Sequence, residues 1–219
     1  MKSSKYLYAG IGAAVAIAVT IIVITQFNIQ PNQENNQQDS SQALYLDFSY
    51  EEENSDLKSS LATHQINMSN PLKFFNAADI TQYCNFLSDP KKQALVTYCT
   101  STELKDKQGF LGNINMIGSQ DAPAMVIVAL QSNPLITNYG DVKTVFGTVI
   151  NSTICECWDK EKLSGYPTLS ALMDAFRDFH ITGKKPDSTT HSVSLGGKHF
   201  EIELSTNTSG YLWKLLVAK

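Results

Sequence analysis

The sequence predicts an α+β protein: one N-terminal transmembrane helix, then a single extracytoplasmic domain whose mainly antiparallel, about five-stranded sheet is packed by helices. Three observations carry this. Residues Tyr6 to Phe27 form an uncharged apolar run. Downstream, segments with a helical period of three and four alternate with segments of period two. Near the C-terminus, two alternating segments flank Gly196-Gly197, the signature of a two-residue β-hairpin.

The apolar run holds about 22 residues, which as a helix span ~33 Å, enough for the ~30 Å hydrocarbon core. Residues 1–5 then form a cytoplasmic tip. Lys2 and Lys5 precede the run, whereas Glu34, Asp39 and Glu51 to Glu53 follow it before Lys58, so the positive-inside rule leaves the N-terminus in the cytoplasm. A cleaved signal peptide has a shorter apolar core and ends in small residues. Here the β-branched stretch Thr20 to Thr25 leads into Gln26 and Phe27, which favours a retained signal-anchor. A prepilin-type leader cut near Gly10 is the sharper alternative, on a loose motif. Gly10, Ala14 and Ala18 form a small-residue stripe that would admit a second transmembrane helix, and are the candidate membrane-packing residues.

Residues 28–42 are almost entirely Asn, Gln, Ser and Asp, a composition that cannot bury enough apolar surface to offset the entropy of ordering. They read as a flexible linker, with the domain occupying 43–219. A formal charge of −4 and a pI near 5.5 remove the electrostatic basis for binding nucleic acid. Asn67, Asn151 and Asn207 each begin an acceptor sequon and are candidate glycosylation sites on an exposed extracytoplasmic surface.

Within the domain, Leu44, Leu46 and Phe48 alternate as in a strand. After Asn76, the spacing of Ile80, Tyr83, Cys84 and Leu87 predicts a helix. A second helix opens at Asp89-Pro90, with Asp as N-cap and Pro at the first position, completing a helical hairpin. Phe110, Gly112, Ile114 and Met116 alternate as a half-buried strand, and the continuous run Ala124 to Leu130 reads as a central strand buried on both faces. Val142, Val145, Phe146, Val149, Ile150 and Ile154 give a helix between Asp141 and Cys157. Thr168 caps another, with Leu169, Leu172, Met173, Phe176 and Phe179 as its stripe and Gly183 as its stop. In the final hairpin, Leu195 should pair with Lys198 and Val193 with Phe200, with His191 opposite Ile202. Tyr211, Trp213, Leu215 and Val217 form the last strand.

This order, and the closing segment VSLGGKHFEIELSTNTSGYLWKLLVAK, resembles extracytoplasmic PAS-like sensor domains of the Cache type. Such domains have two strands, a helical excursion and three closing strands after a transmembrane anchor. The resemblance covers about 27 residues plus the order of elements. It implies a ligand-sensing sheet but transfers no ligand-binding residue.

Cys84, Cys99, Cys155 and Cys157 are an even set in a domain facing an oxidising environment, so they are disulfide candidates. In a tight helical hairpin Cys84 and Cys99 lie at unequal distances from the bend, so bridging them requires staggered helices or a wide turn. On a helix, Cys155 and Cys157 point about 200° apart and cannot meet. In an extended segment both face one side, and each would bridge to Cys84 or Cys99. A metal held by this pair with His64, His180, His191 or His199 is disfavoured by the single intervening residue.

No GxSxG, HExxH, P-loop or GxGxxG motif occurs, and Gly109, Gly112 and Gly118 are wrongly spaced to cradle phosphate. Glu201 and Glu203 share a strand face, but read as solvated surface, as does Glu51 to Glu53. No catalytic residue, cofactor or metal is therefore expected. The leading expectation is a non-catalytic, membrane-anchored binding or sensor-like module for a small ligand or envelope component; a pocket between the sheet and the helices of Asp141 to Ile181 supports it, and a solid core there counts against it. An accessory subunit of a membrane complex, with a membrane-protein partner, comes second. An envelope enzyme or thiol-redox protein comes last.

Overall fold

The structure, a computed structural model, describes residues 44–132, 138–161, 165–208 and 210–219. The anchor at 6–27, the linker and the Gly10, Ala14 and Ala18 stripe lie outside them. Among the described residues no helix is long and apolar enough to cross a membrane.

The elements run α1 (Tyr50–Thr63), β1 (Asn67–Met68), β2 (Leu72–Phe74), α2 (Ala77–Tyr83), α3 (Pro90–Gln93), β3 (Tyr98–Asp106), β4 (Gly109–Gly118) and β5 (Pro123–Ser132). Then come α4 (Tyr139–Thr153), α5 (Trp158–Glu161), α6 (Leu169–Gly183), β6 (Asp187–Thr189), β7 (Val193–Leu195), β8 (Lys198–Asn207) and β9 (Gly210–Ala218). All described pairings are antiparallel. The sheet runs β1-β3-β4-β5-β9-β8-β6, with β2 also on β3 and β7 also on β8. Among the described residues the sheet has nine strands rather than about five: β3, β4, β5, β8 and β9, of nine or ten residues, form its body, β3 among them unexpected, and four short ones trim its edges.

One face carries the main core. Val126, Val128 and Leu130 of β5, Trp213, Leu215 and Val217 of β9, and Phe200, Ile202 and Leu204 of β8 pack against Leu57 and Leu61 of α1, the α4 stripe, and Leu172, Met173 and Phe176 of α6. Trp213 is fully buried and meets the rings of Tyr139, Phe146 and Phe176 at 5.3, 6.5 and 6.4 Å. The opposite face is covered at one end, where Ile80, Cys84 and Val96 meet Cys99, Ile117 and Ile127.

The C-terminal hairpin forms in the expected register: Val193 pairs with Phe200 and Leu195 with Lys198. Gly196 and Gly197 turn with φ of 57° and 76°, a left-handed pair that favours glycine. His191 is not opposite Ile202, because the chain leaves the sheet there and Thr190 takes the bonds to Ile202. Lys198 is buried by the inward alternation. Its ammonium donates to the Thr153 carbonyl at 2.6 Å and pairs with Asp47, so a cation from β8 caps the C-terminus of α4, which has no basic residue in its last turn.

Several expectations are corrected. Leu44 to Phe48 is not a strand; it leads into α1, capped where Ser49 Oγ accepts from the Glu52 amide. The helix opened by Asp89-Pro90 lasts one turn, and Cys99 lies on β3 rather than on a second helix arm. The α4 helix ends at Thr153, before both later cysteines. In α6 the buried stripe continues through His180, while Phe179 is exposed, and the left-handed cap residue is Lys184, one past Gly183. A bulge at Leu104/Lys105 leaves Leu111 as an extra residue that turns inward, while Phe110 is exposed. Gly112, beside it, approaches β5 so closely that a Cβ would lie 2.0 Å from the Ala129 carbonyl oxygen.

The strand position of Cys99 explains its pairing: Cys84 and Cys99 stand at disulfide distance, Cα atoms 6.4 Å apart, and so do Cys155 and Cys157, at 5.2 Å. The expected cross-pairing of the two sets does not occur. Peptide mapping by mass spectrometry without reduction should therefore recover the 84–99 and 155–157 links and no cross-link. Replacing Cys84 and Cys99 by Ala should lower stability by about 3 kcal/mol, since the loop is some fifteen residues long. The same change at Cys155 and Cys157, which close a far shorter loop, should cost about half that.

Candidate ligand cleft

The space between the sheet and helices α4 and α6, where a pocket would support the leading expectation, is filled and counts against it: Val142, Val145, Phe146, Val149 and Met173 have no exposure. A cleft of 610 Å3 opens instead beneath α1, at the β1/β2 edge of the sheet. Its floor is Tyr98 and Thr100 of β3, with Lys73 of β2 beside Thr100 in the register. Its wall is one face of α1, with Tyr50, Glu51, Asn54, Ser55 and Lys58.

Local bonds fix the ends of this cleft. The Tyr50 hydroxyl donates to the Ser119 carbonyl at 2.8 Å, holding the β4–β5 turn, with Gln120 and Asp121, against the first turn of α1. At the other end Lys58 donates to Asn70 Oδ1 at 2.9 Å. Between them Asn54, 6% exposed, donates to the Tyr50 carbonyl and accepts from Thr102 at 3.0 Å, which fixes α1 on β3 through polar groups. The Tyr50 and Tyr98 rings meet edge to face at 4.8 Å. Burial raises the Tyr50 phenol far above its ordinary range, so it serves as a neutral donor.

Thr100 is the exception within this satisfied frame. It is 1% exposed, lines the cleft, and its hydroxyl has no hydrogen-bond partner among the described residues. Buried polar atoms without partners cost roughly 1–3 kcal/mol; seven other side-chain atoms among the described residues share this state, Asp106 Oδ2 beside a smaller hollow among them, and Thr100 is the one that lies under the α1–β3 cleft. A second hollow, of 550 Å3 between α4 and α6, lacks this feature. Its Lys143 is held by Asp174 at 2.7 Å, its Trp158 by the Tyr166 carbonyl at 3.2 Å, and its Thr168 by the Ala171 amide.

The other residues singled out from the sequence lie elsewhere. Asn67, Asn151 and Asn207 are all exposed. Glu201 and Glu203 do share a face, but each is half-buried and separately engaged, Glu201 with Ser192 and Glu203 with Lys214 at 3.4 Å. His180 is buried between the Ser188 and Thr206 hydroxyls, both at 2.8 Å, and burial lowers its pKa. His199 is exposed and bonds Ser194 across the hairpin. Among the described residues no three His, Cys, Asp or Glu are placed to hold a metal.

The cleft residues Tyr50, Asn54, Lys58 and Thr100 were missed by sequence reasoning. A signal existed: Ser49 with Glu52 three residues on is a capping-box pattern. Glu51 and Glu52 are solvated as expected, but Glu53 is 3% exposed. Burial pushes its carboxyl up to about 7, opposed by a bond from Ser152 and by the Lys198 charge.

No protein-family model matches the chain, and no curated protein or solved structure matches it either.

Glu53 yields a pH prediction with a definite sign. The folded state retains a proton that the unfolded chain releases between pH 4.5 and 7, so stability falls as pH rises through that window, by up to about 3 kcal/mol. His180 acts in the opposite sense below its ordinary pKa, so the parent protein alone is a poor reporter. Urea titrations of parent and Glu53→Gln should give similar stabilities near pH 4.5 and a more stable variant at pH 8. Equal stability at both pH values contradicts the assignment.

Proposed function

We propose that the chain is a membrane-anchored, extracytoplasmic, non-catalytic binding module of sensor-like kind, and that its ligand is a small polar molecule held in the cleft between α1 and β3. The observation that carries this reading is the unpartnered Thr100 hydroxyl on the floor of an open cleft whose remaining buried polar groups are satisfied. The PAS-like resemblance is consistent with it. Two strands, a helical excursion and three closing strands are obtained from the element order only by setting aside α1, β1, β2, α2, α3, β3 and β6 as additions. The cleft is formed by the additions.

An accessory role in a membrane complex is the second reading. Leu72, Phe75 and Tyr83, each more than half exposed, all fall within the β2–α2 segment and offer apolar surface to a partner protein. A monomer purified from mild detergent with nothing bound to it would count against this.

The binding reading makes a prediction at Thr100. Thr100→Val removes a hydroxyl that the protein does not satisfy, so its melting temperature should match or exceed that of the parent. Ligands that raise the parent melting temperature in a screen of amino acids, short peptides, carboxylates and sugars should lose most of that effect in the variant. Ligand shifts that survive unchanged in Thr100→Val place binding elsewhere.

Topology is tested separately. The full chain should pellet with membranes, resist carbonate extraction, and lose residues 43–219 to protease added from outside. Protection of the domain in sealed cells would reverse the orientation.

A further inference from the structure

The charges around the cleft cancel and are separated. Glu51 and Asp121 stand at the end closed by the β4–β5 turn, while Lys58 stands at the end closed by Asn70, and Lys73 lies between, on the edge strand. Two acids and two bases give no net field to attract a simple anion or a simple cation. Seven residues of helix separate Glu51 from Lys58, a rise of ~10 Å. A free amino acid carries its ammonium and carboxylate on one carbon and cannot reach both ends. Three extended residues span ~10 Å from amine to carboxylate.

The edge of the cleft has matching chemistry. Among the described residues β2 pairs only with β3, so alternate backbone N–H and C=O groups of Leu72–Phe74 face away from the sheet. A groove between a helix and an edge strand is the setting in which an extended peptide adds itself as a further strand.

Building on the cleft reading above, we infer that the ligand class is a short zwitterionic peptide of about three residues, bound extended along β2 with its amine toward Glu51 and Asp121 and its carboxylate toward Lys58. Neither end carries sequence information, so recognition rests on backbone and termini.

Isothermal titration of the full chain in detergent tests this with Ala-Ala-Ala, its N-acetyl form, its C-terminal amide, and alanine, alongside phosphate, succinate and glucose. Tri-alanine should bind, and each capped form and alanine should bind at least tenfold more weakly. Glu51→Ala and Lys58→Ala exchange exposed side chains, so folding is retained; each should weaken tri-alanine about tenfold. Glu51→Ala should also abolish the penalty of acetylation, and Lys58→Ala that of amidation. Tri-alanine binding that ignores both caps, or alanine binding as tightly, overturns the peptide assignment. So does failure of tri-alanine where phosphate, succinate or glucose binds in a Thr100-dependent manner, which leaves the cleft reading standing. Failure of every probe takes down both.

Discussion

The fold depends on β9 being inserted between β5 and β8. Residues 211–218 pair with 132–125 on one side and with 206–199 on the other, so the last segment of the chain joins two otherwise separate antiparallel units. Trp213 stands on this strand and is fully buried beneath α4 and α6. A strand hydrogen-bonded on both sides, with its largest side chain fully buried against three aromatic rings, ties together contacts far apart in sequence. The cost in loop closure is considerable, and the gain is a sheet in which only the short strands are left at the ends.

That arrangement decides where a ligand can go. The β5, β9 and β8 strands are covered by α4 and α6, with aromatic rings filling the gap, so the centre of the sheet has no room. At the far edge the helical layer is completed by α1, whose contact with β3 runs through Asn54 and Thr102 as well as through Leu57 and Leu61. Polar contacts are less able to close a seam than interdigitated aliphatic ones. A cleft lies along this seam, and β1 and β2, of two and three residues, are too short to cover it.

The same residues explain how much of the molecule was legible in the sequence. The C-terminal hairpin, β9, α4 and α6 were visible because their inward positions are aliphatic or aromatic and the period is unbroken. Register at Val193/Phe200 followed from the turn alone. By contrast α1 presents Glu53 and Asn54 to the interior, and β3 presents Thr100 and Thr102, so a search for apolar periodicity passes over both. With β3 unrecognised, apolar spacing puts Cys99 on the second arm of a helical hairpin, where a bond to Cys84 requires staggered helices or a wide turn. His180 took the place of Phe179 for a similar reason: two hydroxyls satisfy the imidazole, and sequence does not show partners that are distant along the chain. The polar substitutions that hid these elements are largely those that line or frame the cleft, which is why the candidate site was the least readable part.

The proposed function stands or falls with ligand binding at the α1–β3 seam. Differential hydrogen–deuterium exchange on the full chain, with and without a mixture of amino acids and di- to tetrapeptides, addresses it directly. Exchange should slow only within residues 49–58, 69–74, 98–102 and 119–122. Protection centred on α4 and α6, or on the uncovered sheet face around Asn113, Ala129 and Lys214, would contradict it.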